Sequence, residues 1–232
     1  VATFAAIPPG AVRDAFLSPE ARDATRVSFA ASALAVAVAS FLGVPGGYAL
    51  SRARGAGRAF ALFVLALPLA FPPVASGIIL LQLVGANAPA GIFLATHGVR
   101  FVDTLAGVAL AEFFVAGSFV AIASTAAFAT LDPVYDASAR TLGAGDARIF
   151  LRIALPLAAP NIGAGILLAW MRALGEYGAT SVVAYRPASL PIALYTALSA
   201  QGVRASLALA YGFIVLAAIV VALQWALRRR VV

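Results

Sequence analysis

Residues 139–156 read ARTLGAGDARIFLRIALP, a polar and helix-prone stretch within a chain that is otherwise overwhelmingly apolar. The stretch carries Arg140, Asp146, Arg148 and Arg152, and long hydrophobic runs flank it. Polar segments between apolar runs connect membrane spans and lie outside the bilayer. The stretch is therefore expected to be a loop between two spans that is open to contact with a soluble partner.

Composition places the chain among integral membrane proteins. Of its 232 residues, 63% are hydrophobic and 11% are charged, and the mean hydropathy is +1.00, whereas a soluble domain carries about 25% charged residues. The net charge of +7 comes entirely from arginine. Those arginines stand at the ends of apolar runs, which indicates positive-inside anchoring rather than nucleic-acid binding. The absence of cysteine excludes a disulfide framework and a thiolate metal site.

Five apolar stretches are long enough to cross a bilayer, which takes roughly 20 residues of helix. Prolines interrupt the second stretch, and the fourth continues through Arg172 and Glu176. The first ten residues, VATFAAIPPG, look like the tail of a sixth span that ends at Pro-Pro-Gly. The five predicted spans are residues 27–51, 59–83, 104–131, 153–183 and 205–227.

Arginine placement predicts the orientation of these spans. If the spans alternate in direction, nine arginines fall on one side, in residues 51–58, in residues 139–156 and in residues 228–230. The other side carries six arginines, which four acidic residues partly offset. The positive-inside rule assigns the side with nine arginines to the cytoplasm, and residues 139–156 with it.

One segment occurs twice. Residues 55–72 read GAGRAFALFVLALPLAFP and residues 143–160 read GAGDARIFLRIALPLAAP, with Gly-Ala-Gly and Ala-Leu-Pro-Leu-Ala at the same offsets. Both copies enter the membrane in the same direction, so they are not the inverted repeat of secondary transporters; coincidence in an Ala/Leu-rich chain is the alternative. Because proline removes a helical hydrogen bond, both helices are expected to bend or unwind near their two prolines.

The polar stretch begins with a short helix. Asp132-Pro133 breaks the preceding helix, and Asp136 then stands near the start of the next one, where a negative charge suits the helix dipole. Residues 137–139 are small, and Gly143 and Gly145 allow a tight turn or the close approach of another backbone. These features favour docking of a soluble partner. An interfacial helix on lipid is the alternative, but it needs an apolar stripe that this segment largely lacks.

The same stretch resembles the EAA loop of the permease subunits of binding-protein-dependent ABC importers. That loop has the pattern Glu-Ala-Ala, three residues, Gly, nine residues, Ile, one residue, Leu-Pro. Here Ala-Ser-Ala at residues 137–139 is followed at the same spacings by Gly143, Ile153 and Leu155-Pro156. The chain departs from the pattern at the glutamate position, which holds alanine with an acid one residue earlier. The resemblance therefore implies the loop but no particular role for that glutamate.

A second block narrows the resemblance to one branch of the family. RALGEYGAT, residues 172–180, is similar to a segment of molybdate, tungstate and sulfate permeases, and so are LPLAFPPVASG (67–77) and LPIALYTAL (190–198). The resemblance covers about residues 27–228. It implies an all-α integral membrane protein of the ABC importer permease fold, with five to six transmembrane helices and a cytoplasmic coupling helix.

The resemblance also implies a function and its partners. Residues 1–232 would form a single permease domain in the inner membrane, with a coupling loop at about residues 132–152. This domain would move an oxyanion, with molybdate or tungstate first and sulfate or another small solute as alternatives. Two ATP-binding subunits, a second permease copy in a homodimer and an external binding protein would be its partners. ATP and Mg would bind to the partner subunit, and this chain would hold no cofactor, metal or catalytic residue. The implied coupling residues are Asp136, Ala137, Ser138, Ala139, Arg140, Gly143 and Gly145.

Arg172 and Glu176 are four residues apart in a membrane-embedded stretch, so a helix places them on one face. One interpretation is an ion pair that holds the helix among its neighbours. The other is that they border the anion pathway, where Arg172 lowers the barrier and Glu176 prevents the arginine from trapping the anion. The predicted pathway residues are Arg172, Glu176, Thr180 and Pro72.

Two other classes of protein are weaker interpretations. A secondary transporter or channel does not explain the polar loop or the direct repeat. An intramembrane enzyme needs clustered ligands or an acid–base pair, but His97 is the only histidine, and nothing in the spacing pairs Glu112 with Glu176. Residues 185–202 are too short and proline-broken to span, and we expect a re-entrant or surface piece near the external gate, with an ordinary loop as the alternative.

Overall fold

The computed structural model describes residues 17–228, and this part of the chain is helical, with no strand. The predicted tail of an earlier span at residues 1–10 lies outside the described residues, as do the last two arginines of residues 228–230. The helices are α1 Pro19–Arg52, α2 Ala56–Ala70, α3 Pro73–Val84, α4 Pro89–Thr96, α5 Leu105–Ala129, α6 Pro133–Thr141, α7 Asp146–Leu174, α8 Gly178–Val183, α9 Leu190–Gln201 and α10 Val203–Arg228.

Membrane-spanning architecture is confirmed for the predicted spans that lack internal breaks. Among the described residues, α1, α5 and α7 are long and apolar enough to cross a membrane, with 34, 25 and 29 residues. The 26-residue helix α10 covers the last predicted span. Large apolar side chains on these and neighbouring helices are exposed, such as Phe41 at 79% and Phe60 at 68%. Such faces suit contact with lipid rather than water.

The second predicted span is not one continuous helix. Residues 59–83 fall into α2 and α3, which are strongly bent at a break of two residues. Phe71 is extended there, with φ −74° and ψ 141°, because a residue that precedes proline disfavours the helical region. Pro68, by contrast, is accommodated inside α2. The predicted distortion near these prolines is confirmed, and it divides the span.

The fourth predicted span also differs from its expectation. Helix α7 begins at Asp146 rather than residue 153, and it ends at Leu174 rather than continuing to residue 183. Just before Pro156, residues Phe150–Ala154 form a π-helical turn, in which the Leu155 N–H donates to the Phe150 carbonyl. The local unwinding expected near this proline is therefore present, although Pro160 lies within a continuous helix.

The two copies of the sequence repeat share their beginning in the structure. Gly55 and Gly143 both have left-handed backbone conformations, with φ of 76° and 77°. A helix follows each within a few residues. The copies then diverge, because the first ends in the break before α3 and the second continues through α7.

Two short helices lie in segments that the sequence left without regular structure. Helix α4 was not predicted. Helix α9 forms most of residues 185–202, the segment predicted to be a re-entrant or surface piece, and its 12 residues would extend only about 18 Å. Ser28 anchors its start, because the Ser28 hydroxyl accepts a hydrogen bond from the Leu190 N–H at 2.8 Å. The ordinary-loop alternative is therefore wrong, and the segment is too short to span, as predicted.

The described chain forms two compact units. The first unit comprises residues 17–33, 72–112 and 174–228, and the second comprises residues 34–71 and 113–173. In the first unit, α3 packs closely against α8, where a Cβ on Gly77 would lie 2.9 Å from the Ala179 carbonyl oxygen. In the second unit, alanine makes up most of the core cluster that α1, α5 and α7 share. Small residues let membrane helices approach closely enough for van der Waals packing.

Two adjacent glycines in α1 should respond differently to alanine. A Cβ on Gly47 would lie 2.6 Å from Ser124 Cβ and 2.8 Å from the Thr125 nitrogen, whereas a Cβ on Gly46 meets nothing within 4 Å. Gly47→Ala should therefore lower stability by about 1–3 kcal/mol through overpacking. Gly46→Ala should be neutral or slightly stabilising, because alanine is the better helix former. Thermal unfolding in detergent compares the two variants, and equal melting temperatures would contradict the predicted packing of α1 against α5.

Candidate functional site

The polar stretch begins with helix α6, which starts where the sequence predicts. The Asp132 carboxylate accepts a hydrogen bond from the Val134 N–H at 2.9 Å, and Pro133 occupies the first helical position. An N-cap aspartate satisfies one of the unpaired N–H groups of the first turn, and proline there sacrifices none that is needed. Asp136 follows in the first turn, as expected.

Gly143 ends α6 in a backbone conformation that other residues rarely adopt. Its φ is 77°, its N–H donates to the Arg140 carbonyl, and the Ala144 N–H donates to the Ala139 carbonyl, both at 3.0 Å. This pair of hydrogen bonds is a Schellman motif, in which glycine is the usual residue because it has no Cβ. A Cβ on Gly143 or on Gly145 would meet nothing within 4 Å. Gly143 is therefore required for the turn and not for close packing inside this chain.

The predicted coupling residues do not all face outward. Ala137, Ser138, Arg140, Gly143 and Gly145 are exposed, as a docking surface requires. Ala139 is buried, so it is not part of the expected surface of small side chains. Asp136 is partly buried and contacts Arg52 rather than solvent.

Three apolar residues of the same segment are exposed, which was not predicted from the sequence. Val134 and Tyr135 are about half exposed, and Leu142, at the C-cap of α6, is 87% exposed. A large apolar side chain that projects from a polar segment is a common mark of a protein contact. Their positions within a helix of low apolar content could have identified them.

One ion pair joins the end of α6 to the start of α7. Arg140 Nη2 lies 2.6 Å from Asp146 Oδ1, with both side chains more than half exposed. Exposed pairs of this kind contribute only about 0–1 kcal/mol. The pair therefore adds little to the shape of the loop compared with the Gly143 turn.

Arg172 and Glu176 do not share a helix face, so the prediction from their spacing is wrong. Arg172 lies half-buried in the last turn of α7, and this helix ends at Leu174, so no single helix face holds both residues. Glu176 is 1% exposed, and its Oε1 accepts a hydrogen bond from the Ala179 N–H at 2.9 Å. Glu176 thus caps the first turn of α8, a structural role that the sequence did not predict.

The other two predicted pathway residues lie in different settings. Thr180 is fully buried in α8, and Pro72 is exposed at the N-cap of α3. In the first unit, a cavity of about 680 Å³ is lined mainly by apolar residues, with Tyr185, Arg186 and Thr196 among its polar ones. None of the four predicted pathway residues lines it.

The structure brings together two acidic residues that sequence spacing did not connect. Glu112, in α5, is 1% exposed, and its Oε2 has no hydrogen-bond partner among the described residues. Its carboxyl group lies within electrostatic range of Glu176. A lone acid in an otherwise uncharged span was the available signal. His97 is exposed at the end of α4 and packs on Phe93, and the described residues contain no cluster of metal-ligating side chains.

Comparison with known sequences finds relatives that are described as transport permeases. The family of inner membrane components of binding-protein-dependent transport systems matches residues 90–232. The chain is 40% identical over 179 residues to a probable molybdenum ABC transporter permease of Haloferax volcanii, with 77% of this chain and 65% of the relative covered. It is 32% identical over 213 residues to the molybdate/tungstate permease WtpB of Thermococcus kodakarensis, with 91% and 81% covered. It is also 33% identical to the sulfate permease CysW of a Synechocystis strain, with 70% and 59% covered.

A solved structure has the same fold. The whole chain superposes on 86% of a chain from a bacterial alginate ABC transporter in complex with its alginate-bound periplasmic protein, with a TM-score of 0.74 and 18% identity. At that identity the likeness concerns the fold alone. The family and the permease fold that the sequence resemblance implied are both confirmed. The chain therefore belongs to the inner membrane components of binding-protein-dependent transport systems, the permease subunits of ABC importers, and it is a multi-pass protein of the inner membrane.

Proposed function

We propose that this chain forms the pathway through which an ABC importer moves an oxyanion, with molybdate or tungstate as the first candidates. The Haloferax and Thermococcus relatives, which bear molybdenum and molybdate/tungstate names, support this substrate. Sulfate is the second candidate, which the similarity to CysW supports. The chain spans about 65% of the Haloferax relative's length.

The observation that carries the proposal is the projecting end of α6. Leu142 is 87% exposed, and Ala137 and Ser138 beside it are small and exposed. An apolar side chain among small ones can enter a groove on another protein and lose its contact with water there. We assign this surface to docking on an ATP-binding subunit. Gly143 shapes the turn that ends α6, Arg140 and Gly145 lie exposed beside it, and Asp136 faces Arg52.

The proposed complex divides the chemistry among its subunits. Two ATP-binding subunits bind ATP and Mg and hydrolyse the ATP, while this chain holds no cofactor and supplies no catalytic residue. A second copy of the chain completes the pathway as a homodimer, and an external binding protein delivers the anion. When the ATP-binding subunits close, they displace α6, and the spans move between inward-open and outward-open arrangements. A docking helix has no such part in an ion-driven secondary transporter.

Copurification of the ATP-binding subunit tests the proposal. The wild-type chain should retain this subunit from the same importer. Leu142→Asp should weaken retention by roughly 30-fold or more, since losing one buried hot spot costs about 2 kcal/mol or more. Val99→Asp is the control. Val99 is also exposed, but it precedes the membrane span α5 in the chain, whereas Leu142 follows that span. A wild-type chain that purifies without the subunit, or equal retention by Leu142→Asp, would contradict the docking role.

A further inference from the structure

Arg52, the last residue of α1, joins three helices through one guanidinium group. Its Nε and Nη2 lie 3.0 Å and 2.9 Å from Asp136 Oδ2 in α6. Its Nη1 donates to the Phe128 carbonyl oxygen in α5 and to the Ser51 hydroxyl in α1, both at 3.0 Å. The planar group with its five fixed N–H donors thus contacts the ends of α1 and α5 and the start of α6.

This contact is sheltered from solvent. The Arg52 and Asp136 side chains are 29% and 18% exposed, whereas those of the Arg140–Asp146 pair are 58% and 74% exposed. Charge-assisted hydrogen bonds are stronger where solvent is partly excluded. Among the ion pairs of the described residues, the Arg52–Asp136 pair is therefore the one best suited to hold α6 in place.

An aromatic cluster packs against the guanidinium group of Arg52. Arg52 Cζ lies 4.6 Å from the centre of the Tyr48 ring. That ring packs against Phe128 of α5 at 5.2 Å and against Phe150 of α7 at 5.0 Å. Aromatic packing and cation–π attraction both stabilise such an arrangement. Arg52 therefore rests on the point where three spans of the second unit meet.

We propose that Arg52 is the positioning residue that fixes the docking helix α6 to the membrane spans, so that displacement of α6 moves the ends of α1 and α5 with it. The inference rests on the docking role proposed above for α6. It also explains the departure of the chain from the EAA pattern. The acid at Asp136 points inward to Arg52, while Ala137 and Ser138 remain exposed for the partner.

The position requires arginine rather than any cation. Three acceptors lie around the guanidinium: a carboxylate oxygen, a carbonyl oxygen and a hydroxyl oxygen. The compact ammonium of lysine carries only three donors and lacks the flat, rigid fork that reaches all of them. Without the contact, α6 can still present Leu142 to a partner, but its movement is no longer transmitted to α1 and α5.

The test compares coupling in the reconstituted complex of this chain, its ATP-binding subunit and its binding protein. Arg52→Gln and Asp136→Asn should each lower the amount of molybdate taken up per ATP hydrolysed by about tenfold, the equivalent of about 1.4 kcal/mol. The ATP-binding subunit should stay bound, and ATP hydrolysis should continue. The double variant should be no worse than either single one, because both changes remove the same interaction. Arg54→Gln, which neutralises an exposed neighbouring arginine, should couple like the wild type.

The possible outcomes separate this inference from the proposed function. Normal coupling in both Arg52→Gln and Asp136→Asn overturns the inference and leaves the docking role intact. Loss of the ATP-binding subunit from both variants overturns it as well, since Arg52 then shapes the docking surface instead of transmitting its movement. If Arg52→Gln does not fold, Asp136→Asn alone decides, because it changes one side-chain atom on a partly exposed helix. A wild-type complex that takes up no oxyanion overturns the proposed function itself.

Discussion

Gly143→Val is expected to lower ATP-driven uptake by roughly 30-fold, whereas Gly145→Val should leave most of it intact. Gly143 has a φ of 77°, a conformation that costs an ordinary L-residue about 1–2 kcal/mol and a β-branched one more. Valine would open the two hydrogen bonds that end α6 and so displace Leu142 from its exposed position. Gly145 has an ordinary φ of −76°, so a side chain is tolerated there.

The Gly143 variant should be measured for membrane expression, retention of the ATP-binding subunit and uptake. We expect normal expression, because a Cβ at this position meets nothing within 4 Å in the chain. We also expect roughly 30-fold lower uptake, since about 2 kcal/mol of backbone strain opposes the active conformation of the loop. Normal subunit retention together with normal uptake would remove Gly143 from the docking segment.

Arg172→Gln is expected to lower uptake of molybdate, tungstate and sulfate alike by about tenfold or more. Arg172 lies half-buried in the last turn of α7, one of the predicted spans. A cation inside a membrane protein usually faces water or the protein interior, where it lowers the barrier to an anion. Because α7 ends before Glu176, the two residues share no helix face. The pathway prediction for Arg172 therefore no longer involves Glu176.

The control for this prediction is Arg100→Gln, which neutralises an exposed arginine that lies outside the spans and outside the coupling loop. It should assemble and transport normally. If Arg172→Gln assembles and takes up all three anions at the wild-type rate, the pathway role is wrong. If assembly itself collapses, Arg172 has the structural role that the ion-pair interpretation gives it.

The long apolar helices were predictable from the sequence because burial of apolar side chains in the bilayer dominates their free energy. Helices α1 and α5 are apolar over more than 20 residues, and burial of such a run in a bilayer outweighs its local irregularities. Helix α6 was predictable for a different reason, since Asp132-Pro133 supplies both a cap and a start. In each case the deciding residues are close together in the chain.

The interrupted spans were harder to predict because hydropathy does not measure whether the backbone hydrogen bonds of a helix can form. Residues 59–83 and 153–183 are apolar throughout most of their length, but Pro72-Pro73 and the glycines around Glu176 end the helices. Hydropathy alone therefore predicted spans that were too long. The prolines did indicate distortion, and Pro68 and Pro160 show that a single proline within a helix can be accommodated.

The contacts that shape the candidate site could not be predicted because they join distant parts of the chain. Arg52 and Asp136 are 84 residues apart, and no pattern in either segment indicates the other. The proximity of Glu112 to Glu176 likewise depends on how α5 packs within the first unit. Gly143 was singled out from the sequence, but its left-handed turn was not distinguishable from the ordinary conformation of Gly145.

Uptake by proteoliposomes tests the central claim most directly. The purified complex of this chain and its ATP-binding subunit is reconstituted with the binding protein on the opposite side from ATP, and radiolabelled molybdate is followed. We predict that uptake requires ATP and the binding protein together, and that tungstate inhibits it strongly by competition. Leu142→Asp should abolish uptake. Absence of ATP-dependent uptake of molybdate, tungstate and sulfate, or uptake driven by an ion gradient without ATP, would contradict the account.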